Sequence, residues 1–256
     1  MTNSTFIIPC KIDSYVRYDN ILLVVDYLQK HTTSNIIVYE SDKKQNLSFT
    51  NNKKLKYVFE RSESDHFHRT KILNKMLNQV ETEITINYDC DVLLNPETYI
   101  KAENKILNEN FDLVYPYGFE KNDQRLIPNT EEHRYNLKKN LNITDTSLYK
   151  TALCRYGHVQ FFKTKSYRQG FMENENYRHW GPEDVERCIR FQKLEYNVCW
   201  MPETLVFHLE HPLSVKQPHV DKQEILKLHD FLMSLSKEKL YEYYKNQSYL
   251  KNYKNE

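Results

Sequence analysis

The sequence predicts an α/β fold closed by a C-terminal helical extension, on three observations. Short apolar runs suited to buried strands alternate with segments of helical periodicity from Thr5 to Tyr115. The run Ile84-Thr85-Ile86-Asn87-Tyr88 delivers two acids, Asp89 and Asp91, where a strand would end. From Asp221 onward the pattern becomes purely helical.

The elements follow in order. Thr5-Phe6-Ile7-Ile8-Pro9 is an apolar run whose proline is expected to end a buried strand and open a loop. Asp13 is the expected N-cap of a helix marked by Tyr15, Ile21, Leu22, Val25 and Leu28. Ile36-Ile37-Val38-Tyr39 forms a second strand, ending in Glu40-Ser41-Asp42, and Tyr57-Val58-Phe59 a third. A second helix covers about Phe67 to Val80, with Ile72, Leu73, Met76, Leu77 and Val80 on one face and His68, Arg69 and Lys71 near its start. A helix over about Pro96 to Leu107 precedes the strand Leu113-Val114-Tyr115. Residues 118–156 are polar with weak periodicity, which suits an acceptor-side loop or lid. Then come a strand over His158 to Phe162, the loop around Trp180, a helix of about Glu183 to Leu194, and a strand over Thr204 to His208. The last two helices carry Ile225, Leu228, Leu232 and Leu235, then Leu240, Tyr243 and Tyr244. They are expected to pack on the core, with a weak membrane-surface or protein contact as their other role.

A chain of 256 residues with 39% hydrophobic content can bury one sizeable core, which favours a single domain with appended elements. Lys and Arg number 36 against 35 Asp and Glu, so no global basic field argues for nucleic acid. No basic leader with an apolar core and no membrane-length apolar run occurs, and a cytoplasmic location is expected. The five cysteines, Cys10, Cys90, Cys154, Cys188 and Cys199, lack any Cys-x-x-Cys spacing and read as reduced packing residues.

Two clusters carry chemistry. Asp89-Cys90-Asp91 places two carboxylates at a strand end, on opposite sides unless the chain turns there, one able to meet Mg²⁺ or Mn²⁺ and the other a sugar or ribose hydroxyl. Taken alone, it reads equally well as a solvated turn. Phe207-His208-Leu209-Glu210-His211-Pro212 offers two imidazoles near another strand end, and imidazole joined to carboxylate favours Mn²⁺ over Mg²⁺. Trp180-Gly181-Pro182-Glu183-Asp184 adds a second acidic site at a helix start, where acids also serve the helix dipole.

Phe67-His68-Arg69-Thr70-Lys71-Ile72-Leu73-Asn74, Asp89-Cys90-Asp91, Gly157 to Phe171 and Trp180 to Asp184 resemble, in order and spacing, nucleotide-sugar glycosyltransferases of the GT-A fold. The pattern is similar to the β-1,4-galactosyltransferase group and to family 2 enzymes, including chondroitin-type polymerases, and covers Phe6 to about His211. The resemblance implies a Rossmann-like three-layer sandwich with a mixed central sheet over residues 1–219. Residues 1–117 would form its nucleotide-binding half and 118–219 its acceptor-binding half, with 220–256 as the helical extension. It also implies inverting, Mn²⁺-dependent transfer of a hexose or N-acetylhexosamine from a UDP-sugar to a carbohydrate hydroxyl, with Mg²⁺ the alternative metal, in polysaccharide or glycan biosynthesis.

The same resemblance assigns roles. Pro9, Cys10 and Lys11 approach the diphosphate, Lys11 standing where the group prefers arginine. Phe67 and Arg69 contact the uridine, and Glu40 or Asp42 accepts from the uracil imide. Asp91 is the metal carboxylate, Asp89 faces the ribose or donor sugar, and His208, His211 or both complete the metal site, a histidine replacing the group's methionine. Asp184 is the catalytic base, Glu183 orients the acceptor or starts the helix, and Trp180 either stacks on a sugar face or packs in the core. Two other functions share parts of this pattern. A sugar-nucleotide pyrophosphorylase would carry a Gly-rich phosphate loop, which a chain with four glycines does not supply; the other is a noncatalytic glycan-binding module.

Overall fold

The computed structural model describes residues 3–119, 124–143, 149–153, 155–178, 181–212 and 222–253. Seven strands form the main sheet. From one edge they are β10 (Val198–Trp200), β6 (Leu113–Tyr115), β9 (Val159–Lys163), β4 (Ile84–Tyr88), β1 (Ser4–Cys10), β2 (Asn35–Asp42) and β3 (Leu55–Arg61). Strands β4, β1, β2 and β3 are parallel, whereas β9 runs antiparallel to both β4 and β6, so the sheet is mixed.

Strand alternation explains why β1 reads as an unbroken apolar run. Phe6 and Ile8 pack with Ile21, Val24 and Leu28 of α1 (Tyr15–His31) and Tyr99 of α3 (Pro96–Glu109). Ile7, with Ile37 and Tyr39 of β2, packs on the opposite face against Ile72, Leu73 and Met76 of α2 (Arg69–Leu77). A strand covered on both faces needs no polar alternation. Layers of helix, sheet and helix result.

Two boundaries differ from the sequence reading. Pro9 lies inside β1 rather than ending it. Its missing N–H is tolerated because it sits beyond the last β1–β4 register pair, Ile7 with Asn87, where the strand is flanked on one side only. The N-cap of α1 is Ser14, whose side chain accepts from the Arg17 backbone N–H at 3.2 Å. Asp13 instead pairs with the Arg17 side chain at 3.0 Å.

A second sheet, absent from the sequence reading, contains β5 (Val92–Leu94), β11 (Val206–Leu209), β7 (Gln124–Ile127) and β8 (Lys150–Ala152) in that order. Strands β7 and β8, with α4 (Glu131–Asn140), come from the segment expected to be a loop or lid. Helix α4 is tied to α1 by Arg134 and Lys138, both paired with Asp19. Strands of three or four residues offer too few alternations to register as a period of two. The two expected halves interleave, since β9 lies between β4 and β6.

The C-terminal helices α7 (Lys222–Ser234) and α8 (Lys237–Lys245) dock as expected. Ile225, Leu232, Leu240 and Tyr244 bury around Tyr177, and Tyr249 and Leu250 of the following 3-10 turn join the main core. Leu226, Phe231 and Tyr241 stay exposed. No helix among the described residues is long and apolar enough to cross a membrane.

Candidate metal centre and acidic loop

The chain leaves β4 at Tyr88, turns through Asp89-Cys90-Asp91 and enters β5 at once. That short turn determines what reaches the site. Strand β11 pairs with β5 so that His208 lies opposite Val92, and the Leu209 N–H donates to the Asp91 carbonyl at 2.8 Å. His208 is thereby delivered beside Asp91, and His211 follows just past the strand. Ligand atoms of Asp91, His208 and His211 all lie within 4.8 Å of one another. His208 Nε2 is 3.6 Å from Asp91 Oδ1, and His211 Nε2 is 3.2 Å from Asp91 Oδ2.

The donor set fits a divalent metal of the Mn²⁺ type: one hard carboxylate and two imidazoles. His211 Nδ1 lies 2.8 Å from the Pro212 carbonyl, so Nδ1–H donates there and Nε2 is left to face the cluster. Such an outer hydrogen bond orients a metal-binding imidazole. Burial lowers the pKa of His208 to about 4, against the pull of Asp91, and leaves the ring neutral at pH 7. The hydrogen bond to Asp91 raises that of His211 above the usual histidine range. Burial opposes the charge on Asp91, but His211, His208 and Arg17 outweigh it and hold the carboxyl below its ordinary value.

The two carboxylates of the turn have different partners. Asp89 lies against Arg69 (2.8 Å) and His158 (3.8 Å). Burial disfavours its charge, yet the Arg69 guanidinium and His158 hold the carboxyl well below the usual range. His158 stacks on His208 with ring centroids 5.1 Å apart and sits at φ 66°, a left-handed backbone conformation uncommon for histidine.

After β9 and the short helix α5 (Thr164–Gln169), the acidic loop opens α6 (Glu183–Lys193). Arg69 reaches Asp184 Oδ1 at 3.4 Å, so one guanidinium joins the strand-end turn to the acidic loop. Arg187 also pairs with Asp184 Oδ1 and, at 3.1 Å, with Glu173; Arg187 and Glu173 are buried. Glu183 accepts from the Gly181 N–H at 3.0 Å. Burial, reinforced by neighbouring Asp184, pushes its pKa up to about 8. Trp180 lies outside the described residues.

Two solved structures share this arrangement of layers. GalNAc-T7, determined with UDP, GalNAc and Mn²⁺, superposes with a TM-score of 0.56 at 12% identity, over 84% of this chain and 45% of that one. The catalytic domain of Drosophila β1,4-galactosyltransferase 7, in complex with xylobiose, gives 0.52 at 11% identity, over 93% of this chain and 84% of that one. The chain has the GT-A glycosyltransferase fold. It spans just under half the length of the GalNAc-T7 chain. No family model and no curated protein sequence matches it.

In this GT-A domain the residues expected at the nucleotide lie on β1 and just after it, on β2, around the start of α2 and just after β4. Pro9 is buried in β1, and Lys11 follows it, its Nζ donating to the Asp65 carbonyl at 2.9 Å. Phe67 packs against the buried cluster that contains Ile37, Tyr39 and Ile72. Glu40 is fully buried, and both of its oxygens are occupied: Oε1 accepts from the N–H and side chain of Asn46, and Oε2 from Leu47 N–H and the Tyr57 hydroxyl. Its carboxylate organises the loop after β2. Of the two acids expected at the uracil, Asp42 is the partly exposed one.

Sequence reasoning missed Arg17, His158, Arg187 and Glu173. Arg17 Nη1 lies 3.0 Å from Asp91 Oδ2. Nothing local in the sequence marks it, because the contact depends on α1 folding back over the end of β4.

Proposed function

We propose that this GT-A protein transfers a hexose or N-acetylhexosamine from a UDP-sugar to a carbohydrate hydroxyl, with inversion and with Mn²⁺, in polysaccharide or glycan assembly. One observation carries the reading: Asp91, His208 and His211 converge beside the end of β4, in an open α/β sheet whose ligands bind beyond the carboxyl ends of strands. The UDP, GalNAc and Mn²⁺ held by GalNAc-T7, and the xylobiose held by the galactosyltransferase, support the ligand classes.

Each side chain then has a task. Asp91, His208 and His211 hold the metal, which when bound offsets the charge of a departing diphosphate. Two imidazoles favour Mn²⁺ over Mg²⁺. Lys11 gives the diphosphate a point charge, with Pro9 beside it; Phe67 and Arg69 take the uridine, and Asp89 the ribose or donor sugar. Asp184 takes the proton of the acceptor hydroxyl as it attacks the anomeric carbon. Burial favours the neutral form of Glu183, so this residue orients the acceptor and accepts no proton at pH 7. Trp180 stacks on the acceptor. An acceptor-side base at Asp184 supports direct displacement. A cytoplasmic setting belongs to the same reading, resting on the scattered spacing of the five cysteines. The exposed Leu226, Phe231 and Tyr241 are the residues through which a weak membrane-surface or protein contact would act.

A panel of UDP-sugars with Mn²⁺, read by thermal stabilisation and by hydrolysis, tests the proposal, because a ligand that binds the native state raises its stability. Stabilisation with hydrolysis supports the enzyme. Stabilisation without hydrolysis by any donor points instead to a glycan-binding module, and no stabilisation by any of them removes the UDP-sugar reading.

A further inference from the structure

Arg17 touches two of the three candidate metal ligands. Its Nη1 lies 3.0 Å from Asp91 Oδ2 and 3.7 Å from Cys90 Sγ, and its Nη2 lies 3.3 Å from His211 Nδ1. A guanidinium does not shed its proton in a protein, so a full positive charge stands against the carboxylate that a metal would need. A dication entering beside it meets like charge, and Asp91 already has a counter-ion.

The other end of the same side chain has a second partner. Arg17 Nε lies 3.0 Å from Asp13 Oδ1, one helical turn earlier. The side chain of Asp13 is more exposed than that of Asp91, 29% against 6%. The guanidinium therefore has an anchor outside the metal cluster if it withdraws from Asp91. Arg17 is also in the first turn of α1, on the connection that follows β1, with Lys11 in the same connection. Its planar fork matches phosphate oxygens in a bidentate way, which a lysine does not.

We propose that Arg17 is a latch on the metal site, serving as the counter-ion of Asp91 until a nucleoside diphosphate draws its guanidinium away, so that metal and diphosphate bind with positive coupling. The proposal rests on the metal reading of Asp91, His208 and His211. Coupling between two ligands is reciprocal: whatever factor UDP adds to Mn²⁺ affinity, Mn²⁺ adds to UDP affinity.

The test is Mn²⁺ titration, by calorimetry and by paramagnetic resonance of free Mn²⁺, with and without UDP. The proteins are wild type, Arg17→Met, Arg17→Lys, Asp13→Asn and Asp91→Ala. The wild type is expected to bind Mn²⁺ at least about tenfold more tightly with UDP present. Arg17→Met removes the charge at similar length, so it should bind Mn²⁺ alone several-fold more tightly than wild type and lose most of the coupling. Arg17→Lys keeps the charge and should keep the weak affinity for Mn²⁺ alone. Asp13→Asn removes the negative charge that competes with Asp91 for the guanidinium and should weaken Mn²⁺ binding without UDP, a result available even if Arg17→Met does not fold. Unchanged or weaker Mn²⁺ binding by a folded Arg17→Met, with coupling intact, overturns the latch. So does unchanged binding by Asp13→Asn. If Asp91→Ala binds Mn²⁺ as wild type does, the metal reading falls and the latch with it; if Asp91→Ala loses Mn²⁺ while the Arg17 and Asp13 variants behave as wild type, only the latch falls.

Discussion

Asp89 and Asp184 share one guanidinium: Arg69 lies 2.8 Å from the first and 3.4 Å from the second. The turn that ends β4 and the loop that opens α6 are thereby fixed to each other through a side chain on the first residue of α2. Changes at one acid will be felt at the other, and variants must be read with that coupling in mind.

Asp184→Asn keeps the size of the side chain and one acceptor oxygen toward Arg69 and Arg187 but takes up no proton. Transfer is expected to fall by about 10²–10⁴-fold while Mn²⁺ and UDP binding persist. Donor and acceptor kinetics beside a UDP titration check this. Near wild-type transfer, or loss of UDP binding along with activity, would remove Asp184 as the base.

Asp91→Ala should abolish Mn²⁺-dependent UDP binding and leave the fold intact, since its backbone carbonyl still accepts from Leu209. Far-ultraviolet dichroism and calorimetry separate the two effects. A variant that binds UDP with undiminished metal dependence rules out the carboxylate as a ligand.

The histidines predict a pH response. The Asp91 hydrogen bond raises the pKa of His211, so protons compete with the metal for its Nε2 from a higher pH than at an ordinary histidine. Mn²⁺ affinity should weaken as pH falls through that raised value, and binding there should release a proton detectable from buffer ionisation heats. His208→Ala/His211→Ala should lose both the affinity and its pH dependence, and unchanged Mn²⁺ binding in the double variant would return both residues to a packing role.

Glu183 predicts a different pH effect, on stability. Its folded pKa, about 8, lies above the ordinary 4.5, so between these values the native state holds a proton that the unfolded state has released. The group's contribution therefore declines as pH rises across this window and levels off above it. Glu183→Gln should flatten that part of the profile, which urea unfolding at pH 5 and pH 8 would measure. An identical slope in variant and wild type would contradict the assignment.

The buried Arg187–Glu173 pair is expected to be costly to break. Both side chains are at most 1% exposed, and Glu173→Gln would leave an uncompensated charge on Arg187 toward the interior, a loss of about 3–5 kcal/mol by the behaviour of such pairs. Denaturant titration gives the number, and a loss below about 1 kcal/mol would show that Asp184 alone satisfies Arg187.

The main sheet was legible in the sequence because β1, β2 and β4 are long enough, and buried enough, to read as apolar runs. The second sheet was not, since its strands are too short to show a period. The acidic turn and the histidine pair were visible as separate motifs, and their meeting depends on β5 starting at Val92 and pairing with β11, a tertiary fact with no local signal. Asp13 was misread as a cap because a carboxylate at a helix start has two uses, and here the side chain of Arg17 claims it. The burial of Glu40 has no signal in the sequence, because a lone acid near a strand end reads the same inside the molecule as in solvent.

The C-terminal extension has a consequence for how the molecule is made. The hydroxyl of Tyr244 donates to Glu186 on α6 at 2.5 Å and accepts from Asn174, 70 residues earlier, at 2.9 Å, and Tyr253 donates to Glu175 at 2.6 Å. The stretch that leads into the acidic loop is thus clamped by residues that leave the ribosome after it. On a nascent chain the main sheet has all its strands before α7 exists, and the approach to Asp184, already held by His68, Thr70 and Asn74, gains further ties with α8 and Tyr253. Chains stopped after β11 should therefore resist protease over the sheet and be cut more readily between Glu173 and Arg178 than the full chain, the difference narrowing once Tyr244 has been added.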